Sequence, residues 1–115
     1  MMEYIQVPDM NDSFSRVILC QKEYLIRFLY NGEHDYWSFG VYDTGKNILL
    51  QHRKIVPVAP LTHFDVSVHI PQGIFGCFTN LKHVGRKDFA NGNVEFAFIP
   101  WEDLEVWRKE NEIIR

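Results

Sequence analysis

The residues of this chain best equipped for chemistry are its five histidines and two cysteines. His63, Asp65 and His69 share one face of an alternating run from His63 to Ile70. An imidazole and a carboxylate two residues apart on a strand lie about 7 Å apart and can reach a common ion. His69 would stand about 20 Å from His63 on a straight strand, too far to join them. A metal centre would need His34, His52 or His83 to fold in, and no spacing follows a structural zinc pattern. Solvent-facing histidines on a half-buried strand account for the same residues, so the reading is no metal and no cofactor.

Nucleophiles fare no better. Cys77 lies in Phe75-Gly76-Cys77-Phe78, an apolar setting that raises a thiol's pKa and dulls it. Cys20 follows Val17-Ile18-Leu19, and both thiols are read as buried and free. There is no Gly-x-Ser-x-Gly elbow. Gly73-x-x-Gly76 falls between strands, so it is no phosphate cradle. The carboxylates Glu102 and Asp103 belong to a polar tail and need no catalytic role. The chain reads as a non-enzyme.

The elements that carry these residues are strands. Tyr24, Ile26, Phe28 and Tyr30 alternate with Leu25, Arg27 and Leu29. Phe14, Arg16 and Ile18 alternate with Ser15, Val17 and Leu19, and Gln21-Lys22-Glu23 reads as the turn between the two runs. Trp37, Phe39 and Val41 share a face, with Ser38, Gly40 and Tyr42 on the other. Asp43-Thr44-Gly45-Lys46 predicts a hairpin turn with Gly45 at a positive-φ position, followed by a return strand to Val56. His63 to Ile70 follows the same rule, Ile74 to Leu81 is a further apolar strand, and Asn93 to Ile99 is a final strand with Val94, Phe96 and Phe98 on one face. From Trp101 to Arg115 charge dominates, and Leu104, Trp107 and Ile114 lie near one helical stripe. These patterns predict an all-β fold: an antiparallel β-sandwich or flattened barrel of about seven to eight strands, with a short C-terminal helix or arm. The expected division is a β-rich domain over 1–100 and a charged tail over 101–115.

Composition narrows the function. With 115 residues, one domain with a real core is expected. A formal charge of −3 without a basic stripe argues against nucleic acid as the main partner. No apolar run approaches the roughly 18 residues of a membrane span, and the start lacks a secretory signal, so synthesis and retention in a cytoplasm are expected until assembly or release. Aromatic residues make up 15% of the chain, enough to put rings on both faces of neighbouring strands. One face packs inward and the other meets water or a partner, and Tyr and Trp suit such a wet boundary.

The order of segments resembles a known family. It runs Ile5-Gln6-Val7-Pro8, Phe14 to Leu19, Tyr24-Leu25-Ile26-Arg27-Phe28-Leu29-Tyr30-Asn31, then Trp37-Ser38-Phe39-Gly40-Val41-Tyr42-Asp43 and Ile48-Leu49-Leu50. Ile74-Phe75-Gly76-Cys77-Phe78 and Val94-Glu95-Phe96-Ala97-Phe98-Ile99-Pro100 complete it. Over residues 4 to 100 this is similar to the small baseplate plug proteins of contractile-tailed phages and related particles. The resemblance implies a virion protein, made in the host cytoplasm, at the centre of the tail baseplate. Its partners there would be the hub, the spike and the tube initiator, in a hetero-oligomeric assembly, with no substrate, cofactor or membrane. Trp37, Phe39, Tyr42 and Trp107 are the expected contact residues. Arg53-Lys54 and Arg86-Lys87, set against Glu102, Asp103 and Glu105, are expected to fix register between subunits. Rival readings are a free-standing β-sandwich that binds carbohydrate or protein, and a small metal-dependent hydrolase using His63 and Asp65.

Overall fold

The computed structural model describes residues 3–57, 71–101 and 103. Seven strands follow in order: β1 (Glu3–Ile5), β2 (Asp12–Leu19), β3 (Lys22–Asn31), β4 (Tyr36–Tyr42), β5 (Ile48–Lys54), β6 (Gly73–Phe78) and β7 (Glu95–Pro100). They form two antiparallel sheets, β2-β3-β4-β5 and β1-β7-β6, and the sheets do not close into a barrel. The expected sandwich is therefore the observed one. The strand expected over 63–70 lies outside the described residues. So does the tail helix, apart from Trp101 and Asp103.

The four-stranded sheet is a meander whose register follows from its turns. Cys20 and Gln21 form the β2–β3 turn at φ 53° and 65°, and Leu19 pairs with Lys22. Two successive positive φ values give the twist that matches paired strands, a geometry usually left to Asn-Gly. The turn thus sits earlier than the sequence placed it, because Lys22 and Glu23 already belong to the ladder. At the next corner, Asn31 Oδ1 accepts from the amides of Glu33 and His34 at 3.0 and 3.1 Å. In the β4–β5 hairpin, Asp43 Oδ1 accepts from the amides of Gly45 and Asn47 at 2.9 and 2.8 Å. Those bonds set the loop's path, and Lys46, not Gly45, takes the positive φ of 65°.

The core lies between the sheets and is largely aromatic. Phe39 from β4 meets Phe96 and Phe75 with ring centroids 4.9 and 5.1 Å apart, and Phe28 from β3 meets Phe96 at 5.3 Å. Tyr24, Ile26, Phe28, Trp37, Phe39 and Val41 all belong to this core, on the shared faces that the alternation of β3 and β4 predicted, although Trp37 and Phe39 were expected at a contact. Gly73 opens β6 where space is shortest. A Cβ there would stand 2.4 Å from the Ile99 carbonyl oxygen.

Trp37 anchors one end. Its indole N–H donates to the Gly85 carbonyl at 3.0 Å, and Arg86 stacks over its ring at 5.5 Å. Arg86 also donates to Asp9 and Asn11, both at 2.6 Å. Lys87 reaches Asp9 at 3.2 Å. Arg86 and Lys87, expected to register one subunit on another, here clamp the segment before β7 onto the segment before β2.

Candidate interaction surface

The aromatic residues proposed for contact divide in the structure. Trp37 and Phe39 are interior, 1% and 0% exposed, so neither ring reaches the surface of the chain. Period-two alternation sorts side chains into two faces but does not say which face turns inward. Here the larger rings of β4 turn toward the second sheet. Trp107 lies outside the described residues. Tyr42 points the other way, onto the outer face of the four-stranded sheet, where its ring meets Phe14 edge-on at 5.2 Å.

That outer face is built from the alternate residues of β2 to β5. Phe14, Ile18 and Ile48 are 37%, 66% and 41% exposed, while Leu25 beneath them is buried. Phe14 pairs with Arg27 across β2 and β3, and Arg27 with Gly40 across β3 and β4. Gly40 leaves the room that the His52 ring fills, since a Cβ at Gly40 would stand 2.7 Å from that ring. His52 Nε2 and the Tyr42 hydroxyl are 3.0 Å apart. The face thus carries an aromatic cluster, Phe14–Tyr42–His52, set into the sheet.

Charge frames it. Arg27 binds Asp12 in a two-toothed pair at 2.9 and 2.7 Å and stacks over Phe14 at 5.5 Å. Lys46 stands over the same ring at 5.1 Å, and Arg16 pairs with Glu23 at 3.0 Å. The hydrogen bond from Arg27 holds the Asp12 carboxyl below the usual carboxylate range. Partial burial, with the nearby Arg27 charge, lowers the His52 pKa. The ring therefore stays neutral to lower pH than a free imidazole. An apolar centre with an ionic rim is the anatomy of a protein contact surface.

The other chemical candidates scatter. His83 Nε2 reaches Asp35 Oδ2 at 3.0 Å, and the Tyr30 hydroxyl donates to the other oxygen of that carboxylate. His34 is exposed in the β3–β4 loop. His63, Asp65 and His69 lie outside the described residues. No group of three His, Cys, Asp or Glu residues suited to a metal occurs among the described residues. Cys77 is buried, and burial pushes its thiol up to about 12. Cys20 is exposed, not buried as its apolar neighbours predicted, because it forms the turn and does not extend the strand. Reasoning from sequence missed Phe14 and Arg27 as surface residues. The one signal was an arginine in the middle of an otherwise apolar strand.

The chain is thus a two-sheet all-β domain with a packed aromatic interior and an apolar, charge-rimmed outer face on its four-stranded sheet. Residues 2–102 match the family described as the cyanophage baseplate Pam3 plug gp18, and the chain belongs to that family of phage baseplate plug proteins. Its role is structural, in a phage tail baseplate, in assembly with other baseplate proteins. No curated protein matches the chain.

Proposed function

We propose that this chain is a non-enzymatic plug at the centre of the baseplate, seated against the hub near the start of the tube and the spike. The outer face of the four-stranded sheet is the surface it offers. Phe14, Ile18 and Ile48 supply the exposed apolar centre over the buried Tyr42 ring, and the Arg27–Asp12 and Arg16–Glu23 pairs with Lys46 supply an ionic rim. Trp107 of the tail is a further contact candidate. Trp37 and Phe39 act from beneath, by holding the sheet in shape. The observation that carries the reading is the family match over residues 2–102, together with Phe14, Ile18 and Ile48 left exposed side by side on the outer face of the four-stranded sheet.

The test is co-elution of the full chain with the hub protein of the same particle on size exclusion. Co-elution is expected, and Phe14→Glu combined with Ile48→Glu should abolish it while leaving the far-ultraviolet circular dichroism unchanged. If the two proteins never co-elute, and the chain is absent from purified particles, the reading fails.

A further inference from the structure

The outer edge of β2 is unpaired among the described residues, and the sequence along it is complementary to itself. The two-residue turn closes on the hydrogen-bonded pair Leu19–Lys22, and hydrogen-bonded and open pairs alternate from there. The backbone groups of Asp12, Phe14, Arg16 and Ile18 therefore point away from β3, toward the free edge. The side chains of these same four residues are the exposed ones of β2. Such an edge is a template for another strand.

We propose that a second copy of this chain fills it, β2 against β2, antiparallel about a two-fold axis through Phe14. In that register Asp12-Ser13-Phe14-Ser15-Arg16 reads the same against itself. Each Asp12 faces Arg16 of the second copy, Phe14 faces Phe14, and Ser13 faces Ser15. Continuing the register outward sets Ile18 opposite Met10, and these two are 66% and 55% exposed. Opposite charges and aromatic rings directly across from each other are the pairs that stabilise antiparallel strands. The Ser13 hydroxyl, buried and without a hydrogen-bond partner among the described residues, gains a facing hydroxyl. The neighbouring registers are poorer. A shift by one pair in one direction sets Phe14 against Arg16 and leaves Asp12 facing Ile18, and a further shift sets Arg16 against Arg16.

The groups involved have capacity left. Arg16 engages Glu23 through Nε, which leaves the terminal nitrogens of its guanidinium. Each Asp12 oxygen accepts one bond from Arg27 and retains a second lone pair. The product is a continuous eight-stranded sheet, twice the four strands of one copy, with two Phe14–Tyr42 clusters side by side on one face. This inference does not depend on the baseplate reading.

The test uses the full chain with Cys20→Ser, to remove the exposed native thiol. Sedimentation equilibrium is expected to show a dimer. With Phe14→Cys added, the two new thiols sit on α-carbons about 5.5 Å apart, within disulfide span, and mild oxidation should link them. With Arg16→Cys instead, the two positions lie about 13 Å apart along the strands and should link at least tenfold more slowly. Arg16→Asp alone should shift the chain toward monomer, and Asp12→Arg together with Arg16→Asp should restore the dimer. A chain that stays monomeric and links equally slowly at both positions overturns the proposal, and leaves the edge to a strand from a different protein. A dimer untouched by Arg16→Asp, or not restored by the double exchange, overturns it as well.

Discussion

The two outward faces of the sandwich differ in how far the apolar residues at their centres are buried. On the three-stranded sheet, Ile74 and Ile99 are each 1% exposed, with Phe78 and Trp101 packed against them. On the four-stranded sheet, Phe14, Ile18 and Ile48 remain 37% or more exposed, framed by ion pairs. Burying an isoleucine side chain is worth about 1.5–3 kcal/mol, so the first face contributes to the stability of the isolated chain. The second withholds most of that contribution. Tyr4, at the β1 edge of the three-stranded face, is 63% exposed, so both faces leave apolar area uncovered, and the larger exposed group lies on the four-stranded sheet.

The same substitution on each face should separate them most strongly. Ile74→Ala removes a side chain that is 1% exposed and is expected to cost about 2–5 kcal/mol in urea unfolding. Ile48→Ala trims one that is 41% exposed and should cost under about 1 kcal/mol. If the two losses are equal, the faces do not differ energetically and the argument for an open contact surface collapses.

Much of this arrangement was legible in the residues, and the part that was not has physical reasons. Alternation in Tyr24–Phe28, Trp37–Val41 and Val94–Phe98 identified three of the strands that supply the core, because a half-buried strand must alternate. It could not choose between Trp37 and Tyr42 as the outward ring of β4. That choice depends on the second sheet, whose Phe75 and Phe96 arrive from the distant part of the chain. The pairing of β1 with β7 is likewise non-local and leaves no trace in either segment alone. The β2–β3 and β4–β5 turns put positive φ on residues that do not favour it: Cys20, Gln21 and Lys46. Turn chemistry was readable at Asp43, whose carboxylate collects two amides, but not in the residue that bears the strain. On the outer face of the four-stranded sheet, Tyr42 is the one expected contact residue among those described that points outward. Phe14 and Arg27 emerge only once β2 and β3 are in register.

A smaller effect tests how the open face is built. Gly40 lets His52 lie flat against β4, and a methyl group there would stand 2.7 Å from the ring. Gly40→Ala must therefore push the imidazole outward and break the 3.0 Å contact with the Tyr42 hydroxyl. The far end of a side chain can move, so the expected cost is about 1–3 kcal/mol rather than unfolding. The outer face of the four-stranded sheet should be disordered more than the core. Tyr42 and Phe14 ring resonances should shift in nuclear magnetic resonance spectra while those of Phe39 and Phe96 stay in place. Equal shifts in both groups would mean that the outer cluster is not an independent unit.

The smallest expected effect is a pH dependence confined to the open face. His52 meets Tyr42, Ser38, Gly40 and the Arg27–Asp12 pair, and partial burial and the Arg27 charge lower its pKa below the ordinary 6.5. The unfolded chain then takes up the proton first. Between 6.5 and the lower folded value the unfolded state binds more protons, so stability rises with pH across that window. The contribution is complete above 6.5 and is lost as pH falls through it toward the folded value. Asp12 acts in the same direction at lower pH, because its carboxyl is held down by Arg27 and its contribution disappears as it becomes protonated. The urea midpoint of the wild type relative to that of His52→Gln should therefore rise as pH increases from 5 to 7, whereas the difference for Ile74→Ala should stay flat. Protonation also places a further positive charge beside Arg27 and Lys46, so an acidic partner should hold the face more tightly as pH falls even while the chain itself loses stability. Opposite pH trends for folding and for partner binding would fit a face built for a neighbour, and parallel trends would argue that His52 serves the fold alone.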